Sequence, residues 1–346
     1  MGTGDFSNPR YYKSFYIRMS IVVKNKVKRF KHLARRRFGQ TDLARRLLKD
    51  TLSIFLYHEV SDKPSRFCER YNLNVPPGLF ARQMDFIAEH FNIINPDDLL
   101  LGHYDTPAAL IAFDDGMPGY FREAVPIMVS KQIPSIIFLN MAPVEGEIFW
   151  SGLITYLTEY DAQFREVLRN HFPRQKNVQN FLLCNSKIVN NYIATIDFNS
   201  LEVKARSFYG PFASLKDLDS VRDNPLVFFG NHLYNHYNAL QLNDEELRQQ
   251  YLLNDQKMAG YSNRRPFFSY PFGQPEVCFT LRQTELLHSF GAKAVFSSSG
   301  RINRRGQDGF YDRIGVDSSI ETAEDLLGLI QWMRFKTALK GTASKK

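Results

Sequence analysis

The sequence predicts an α/β protein built from βα units. Short apolar runs alternate along the chain with segments of helical period. The runs are apolar almost throughout and not at every second position. That suits strands covered on both faces, as in a parallel sheet flanked by helices. Clusters of Asp, His and Tyr-Pro stand where three of the runs end, which is where such folds gather their active-site residues. Periodicity leaves a barrel and a doubly wound sheet equally open.

In chain order, residues 53–60 (SIFLYHEV) read as the first buried strand. Over 77–91, Phe80, Met84, Ile87, Ala88 and Phe91 fall on one helical face. Residues 109–113 (ALIAF) form a strand that runs into Asp114-Asp115-Gly116. A helix over 120–131 leads to a strand over 134–139 (PSIIFL). Residues 226–230 (LVFFG) form a strand that runs into His232. A helix over 244–259, a short strand over 267–270, a helix over 276–290, a strand over 292–297 and a short strand over 313–316 continue the alternation. A C-terminal helix is predicted over 321–339. Residues 145–225 break the rhythm, with helix-like pieces over 153–168 and 178–192 and no clear strand. They predict an inserted helical subdomain. Its place between two strands that end in candidate site residues puts it over the mouth of the site, as a lid or as decoration. The predicted organisation is an arm over 1–50, a body over 51–320 that contains the insertion, and a helix and tail over 321–346.

At 346 residues, with 44% hydrophobic and 23% charged residues, the composition is that of a globular protein and excludes collagen and general disorder. Cys68, Cys184 and Cys278 are few, odd in number and far apart, which argues against a disulfide scaffold and a Cys-rich zinc site. The formal charge of +8 is unevenly placed. Residues 1–50 hold 14 Lys+Arg against Asp5, Asp42 and Asp50, a charge of +11. The other 296 residues carry 30 Lys+Arg against 33 acids, or −3. The body thus has no electrostatic footprint for nucleic acid. The apolar run 21–23 is too short for a signal-peptide core, and no apolar stretch is long enough to span a bilayer. A cytoplasmic protein is expected. Within the arm, Val27, Phe30, Leu33, Ala34 and Phe38 recur at roughly helical spacing among Lys24, Lys26, Lys28, Arg29, Lys31 and Arg35 to Arg37. Such a helix suits an anionic membrane surface or packing on the body. The first option would place the protein peripherally at the inner face of the membrane.

Three clusters carry the chemistry: Asp114-Asp115-Gly116, His232 with His236, and Tyr270-Pro271-Phe272-Gly273. Adjacent carboxylates past a buried strand repel unless a cation or hydrogen bonds offset them. Two histidines four apart with one carboxylate make a ligand set that leaves positions open, as a catalytic metal requires. The second carboxylate is then available as a general base. Alone, Asp-Asp-Gly would be a turn and an HxxxH pair incidental. Together, each at a strand end, they are much stronger.

These residues resemble the polysaccharide deacetylases, the NodB-like carbohydrate esterases of family 4. The resemblance runs from about Leu52 to Val316. The segment 55–60 (FLYHEV) resembles the family's opening strand, and Ala112-Phe113-Asp114-Asp115-Gly116 its T-F-D-D-G motif with Ala for Thr. His232-Leu233-Tyr234-Asn235-His236 resembles H-[ST]-x-x-H, and Phe268-Ser269-Tyr270-Pro271-Phe272-Gly273 resembles F-x-Y-P-[YF]-G. The resemblance implies a deformed (β/α) barrel and a divalent metal, usually Zn2+. It implies hydrolysis of an N-acetyl group on an amino sugar of a glycan or glycan precursor, lipid-linked or nucleotide-linked forms included. Asp115, His232 and His236 would be the metal ligands, and Asp114 the base that takes a proton from the water held by the metal. A backbone N–H near 270–272 would face the oxyanion. Tyr270, Pro271 and Phe272 would form the substrate-binding wall.

The sequence departs from the family at several points. Leu233 stands where Ser or Thr supplies a hydroxyl that braces the histidine loop. Ser269 occupies the position of an Arg that orients the base; Arg313, in Arg313-Ile314-Gly315-Val316-Asp317, resembles the Arg of a variant subgroup and could replace it, with Arg264 and Arg265 as runners-up. No late L-x-H motif supplies a general acid, and His288 falls mid-helix, so the acid is unassigned. His58 stands at a strand end and reads as site rim or as a core histidine. Trp150 reads as a platform for a sugar ring or as core. Two other readings compete. Two His and a carboxylate also suit a non-haem iron oxygenase, against which the Asp-first order on βα units argues. A non-catalytic glycan-binding or membrane-associated relative would account for the missing acid and hydroxyl.

Overall fold

The computed structural model describes residues 48–174, 182, 184–306 and 309–343, with side chains through Met333. The predicted arm helix and the start of the piece predicted over 178–192 lie outside the described residues. Seven strands form the frame: β1 (Thr51–Tyr57), β2 (Ala108–Asp115), β3 (Ser135–Leu139), β4 (Val227–Asn231), β5 (Arg264–Ser269), β6 (Ala294–Ser297) and β7 (Phe310–Asp312). They neighbour one another in sequence order, and every pairing among them is parallel. Just past β7, Ile314–Gly315 pairs with β1, while Asn303–Arg304 runs antiparallel to it. The sheet therefore comes round almost to closure, as a deformed (β/α) barrel. Asn303 clamps the seam: its amide donates to the Leu52 and Asp312 carbonyls, and its oxygen accepts the Asp312 N–H.

Alternate residues of the strands share a face. Leu52, Ile54, Leu110, Ala112, Ile136, Phe138, Phe267 and Phe296 belong to one buried cluster, which fills the barrel. The intervening Phe55, Tyr57, Ile111, Phe113, Ile137 and Phe229 belong to another, under the helices. Gly230 faces inward where a Cβ would meet the Phe138 ring at 2.5 Å.

Among the described residues the helices are α1 (Arg66–Tyr71), α2 (Pro77–His90), α3 (Pro96–Leu101), α4 (Val125–Ser130), six between β3 and β4, then α11 (Asp244–Lys257), α12 (Leu281–Ser289) and α13 (Ala323–Ala343). The six are α5 (Met141–Val144), α6 (Trp150–Tyr160), α7 (Ala162–His171), α8 (Ser186–Ile193), α9 (Phe198–Tyr209) and α10 (Leu215–Asp219). Several bounds differ from the sequence reading for local reasons. The helix expected over 153–168 breaks at Asp161, whose carboxylate accepts the Gln163 and Phe164 N–H groups and caps α7. The helix expected from 276 starts at Leu281, because Glu276 is left-handed and Thr280 with Gln283 forms a capping box. The helix expected over 120–131 opens as a π-helix over Tyr120–Ala124, where Val125 N–H reaches the Tyr120 carbonyl. Pro126, with no N–H of its own, follows that wide turn.

Helices α6 to α9 own a separate core that includes Phe149, Trp150, Leu157, Phe164, Val189 and Phe208, while α5 and α10 pack on the barrel through Met141 and Leu218. It joins the barrel through Phe67 and Cys68 of α1 and through Met117. Among the described residues no helix is long and apolar enough to cross a membrane. All three cysteines are free and buried.

Candidate metal and catalytic site

Asp114 and Asp115 end β2 and are both buried. Consecutive strand residues point to opposite faces, so an ordinary strand would part these carboxylates. A left-handed φ of 78° at Asp115 turns its side chain back to the same mouth. Leu233 (φ 60°), His236 (φ 59°) and Phe272 (φ 62°) share this strain, so four of the eight non-glycine residues of positive φ among the described residues belong to the segments that build one site. Strain of that kind persists where the surroundings over-determine it, commonly at functional sites.

His232 follows β4, and its N–H bonds the Leu139 carbonyl at 3.1 Å. Its Nδ1 lies 2.8 Å from the Ser269 carbonyl, which can only accept. Nδ1 therefore carries the proton, and Nε2 presents its lone pair to the site. That Nε2 is 3.5 Å from Asp115 Oδ1 and 3.8 Å from Asp114 Oδ2. His236 Nε2 is 3.1 Å from Asp115 Oδ1. Donor atoms of Asp115, His232 and His236 all lie within 4.8 Å of one another. Asp115 Oδ1 is buried without a hydrogen-bond partner. An orphaned anionic oxygen facing two imidazole nitrogens is the donor set a divalent cation needs, so these residues fit a metal. Burial alone would raise the Asp115 pKa, but the attraction of His236 and the close approach of both imidazoles hold it well below the usual carboxylate range. Burial lowers the His236 pKa despite the attraction of Asp115, which keeps the imidazole in its ligating form.

Asp114 pairs with Arg313 across the barrel seam. The guanidinium donates from Nη1 to Oδ1 at 2.6 Å and from Nη2 to Oδ2 at 2.8 Å, while Nε holds the Ser297 carbonyl at 3.1 Å. Arg313 is fully buried. Burial pushes the Asp114 pKa up, Arg313 and His232 more than offset it, and the carboxyl stays ionised.

A cavity of about 350 Å³ opens over these groups. His58, Asp114, Asp115, His232 and His236 line its polar wall; Phe67, Leu73, Phe149 and Phe272 are among its apolar residues. Ser151 and Thr155 of α6 also reach it, so the insertion forms part of the wall. His58 thus stands at the site rim. Its pKa is lowered by burial, against the pull of Asp115 and Asp114.

The structure brings Asp114, Asp115, His232, His236, Arg313 and Phe272 together. The other sequence candidates lie elsewhere. Trp150 is 5% exposed, belongs to the core of the insertion and packs edge-on against Tyr237 of the loop after β4. Tyr270 is fully buried, stacks on Phe279 and bonds Thr284. Its N–H is spent on the Phe296 carbonyl, and Pro271, also buried, has none to offer an oxyanion. Arg264 and Arg265 pair with Asp255 and Asp97 at the other end of β5. His288 Nδ1 bonds the Ala292 carbonyl near the end of α12.

Sequence reading missed three buried asparagines that brace the histidine loop. Asn231 Oδ1 accepts the Leu233 N–H at 3.0 Å, and Asn140 Nδ2 donates to the Leu233 carbonyl at 2.8 Å. Asn254 Nδ2 ties Asn231 Oδ1 to the Leu139 carbonyl, and its oxygen accepts the Met141 N–H. Leu233 itself packs in the cluster of Tyr251 and Phe268. The one available signal was Asn254, a polar residue among the core-facing positions of α11.

A parallel barrel with a metal-competent Asp-His-His set and an Arg-paired carboxylate at its carboxyl end defines a hydrolytic enzyme site. The chain belongs to the polysaccharide deacetylase family, whose model matches residues 102–295, more than half of its length, and it is a glycan deacetylase. No curated protein matches it in sequence. Among solved structures it is similar to the Streptococcus pyogenes deacetylase PplD in complex with acetate, at 16% identity and a TM-score of 0.53, covering 82% of this chain and 98% of that one. It is similar to IcaB from Ammonifex degensii at 18% identity and a TM-score of 0.51, covering 81% and 97%. The polysaccharide deacetylase BC0361 from Bacillus cereus follows at 10% identity and a TM-score of 0.51, covering 81% and 69%. These likenesses concern the fold.

Proposed function

We propose that this enzyme removes an N-acetyl group from an amino sugar of a glycan or glycan precursor, with a divalent metal held by Asp115, His232 and His236. The observation that carries the reading is the orphaned Asp115 Oδ1 between two imidazoles, beside an ionised and immobilised Asp114. A cation such as Zn2+ would supply a Lewis acid for the amide oxygen and make water more acidic. Asp114 is placed to accept the proton of the attacking water, and Arg313 keeps it charged and aimed. The water oxygen bonds to the acetyl carbon, the C–N bond breaks, and the amine nitrogen takes a proton. The proton taken by Asp114 can return to that nitrogen, and His58, which lines the same cavity, is our candidate relay for it. Phe272, only partly buried, helps to exclude water and offers its ring to the apolar face of a sugar.

Among the described residues no Lys or Arg lines the cavity. That favours an uncharged amino sugar over a nucleotide-linked one, whose diphosphate calls for cations. We further propose that the arm over 1–50 holds the enzyme to an anionic membrane surface, where a lipid-linked substrate would be met.

The test is metal content per chain together with acetate release from N-acetylated oligosaccharides. Wild type should carry about one ion per chain and release acetate. Asp114→Asn should keep the ion and lose turnover, and Asp115→Asn should lose both. Metal-loaded wild type that binds glycan but releases no acetate from any of them would return the non-catalytic reading.

A further inference from the structure

The two histidines of the site are held in different ways. His232 is fixed by a main-chain carbonyl of the barrel. His236 Nδ1 has instead a side-chain partner, Ser151 Oγ, at 2.5 Å. Ser151 lies 85 residues away, in the first turn of α6, and both side chains are buried. The rest of the His236 ring meets the rings of Phe149, His232 and Phe272 at 5.4, 4.9 and 4.8 Å between centroids. Its backbone is left-handed, so side-chain contacts must fix its orientation.

We propose that Ser151 is a positioning residue for the metal site: it accepts the Nδ1 proton of His236, so that Nε2 faces Asp115, and the helical insertion thereby completes the metal-binding set. This rests on the metal reading above. It also explains how the site functions with Leu233 in a position where a hydroxyl would be expected, since the hydroxyl arrives from another part of the chain. A hydroxyl both donates and accepts. Without a cation, Ser151 can donate to Nδ1 while Nε2–H faces Asp115 Oδ1. With a cation on Nε2, the proton must sit on Nδ1 and the hydroxyl turns to accept it.

Packing within the insertion sets the place of Ser151. Its neighbour Phe149 donates its N–H to Tyr209 Oη at 3.3 Å. On the other side, Gly152 lies against Tyr209 so closely that a Cβ would come within 2.2 Å of the ring. The contact of α6 with α9 therefore holds the hydroxyl over the site. Outer partners of ligating histidines commonly contribute about 10–100-fold in metal affinity.

The experiment measures zinc affinity by chelator competition, and the visible spectrum of the Co2+-substituted protein, for full-length wild type, Ser151→Ala, Ser151→Thr and Gly152→Ala. Ser151→Ala should bind about 10–100-fold more weakly with an altered Co2+ spectrum. Ser151→Thr should restore both, and Gly152→Ala should weaken binding with its hydroxyl intact. Equal affinity and spectrum in Ser151→Ala and wild type would overturn the proposal. If the variants fail to fold, long-range 1H–15N spectra of zinc-loaded wild type decide. A protonated Nδ1 on His236 supports the proposal, and ligation through Nδ1 refutes it. Wild type that binds no metal would instead sink the functional reading itself.

Discussion

Arg313 and Asp114 are 199 residues apart and wholly inside the barrel, so each is costly to bury without the other. Arg313→Met should strand a buried carboxylate and destabilise the fold by about 3–5 kcal/mol. The double variant Asp114→Asn, Arg313→Met should recover most of that loss, though not activity. Urea unfolding of the two single variants and the double measures the coupling, and additive effects would show that the pair is not a unit. His58→Ala should retain metal and fold yet lower acetate release by about 10²–10⁴-fold, as removal of a proton-transfer group does. Unchanged turnover would return His58 to the role of a wall residue. Asp114, Asp115, His232 and His236 were legible because each stands at or next to a strand end, in a short motif whose chemistry makes sense locally. Arg313 was legible by resemblance alone. Ser151 and Asn140 were not, because a hydroxyl or amide acting on a distant loop leaves no mark in its own neighbourhood; Asn254 left only its place among the core-facing positions of α11. Trp150 stayed ambiguous for the opposite reason: a large aromatic near a site is as good a core residue as a platform, and here it packs in the core of the insertion.

Among elements, β1 to β6 were legible to within about three residues of their ends, since burial on both faces leaves continuous apolar runs; the three-residue β7 was missed, and the strand read over 313–316 is the short Ile314–Gly315 pairing. Helix starts were not, because side-chain caps such as those of Asp161 and Thr280 set them. The π-helix over Tyr120–Ala124 shows what else periodicity cannot report. Its start packs on Glu59, whose Oε1 accepts the Val60 N–H. A Cβ on Gly119 would lie 1.7 Å from that oxygen and 2.2 Å from the Val60 carbonyl. Burial raises the Glu59 pKa from 4.5 to about 7, more than its backbone hydrogen bonds lower it. A carboxyl with a raised folded-state pKa stabilises fully below its unfolded pKa, and that stability is lost as pH rises through the folded value. Wild type should therefore lose stability relative to Glu59→Gln between about pH 4.5 and 7. The difference should be roughly 3 kcal/mol at most. Urea unfolding of both proteins across that window tests it, and parallel profiles would show that Glu59 ionises freely. Gly119→Ala should destabilise at every pH, because the Val60 carbonyl it meets belongs to the backbone and cannot step aside.

At the scale of the molecule, the two ends of the barrel are set apart. The carboxyl ends of the strands carry the site, partly walled by the insertion. The amino end of β1 receives the chain from Leu48, whose carbonyl accepts the Thr51 N–H at 3.2 Å, and there Asn303–Arg304 covers Thr51 and Leu52. The basic arm thus joins the body at the end away from the mouth, and a surface bound by it need not block substrate entry. Its charge of +11 faces a remainder of −3, so long-range attraction to anionic lipid resides almost wholly in the arm. Each basic residue near such a surface contributes about 1 kcal/mol, enough in sum to hold a protein whose body is repelled. Full-length enzyme should co-sediment with phosphatidylglycerol vesicles in low salt. It should dissociate as the screening length falls from about 10 Å at 0.1 M salt to about 3 Å at 1 M. Protein lacking residues 1–47 keeps Leu48 and its bond to Thr51. It should stay unbound while releasing acetate from a soluble substrate at the wild-type rate. If the truncated protein binds the vesicles as well as the full chain does, the membrane contact belongs to the body and the arm has another use. If truncation also abolishes turnover on the soluble substrate, the arm contributes to the barrel itself, and its apolar stripe is packed on the protein rather than on lipid.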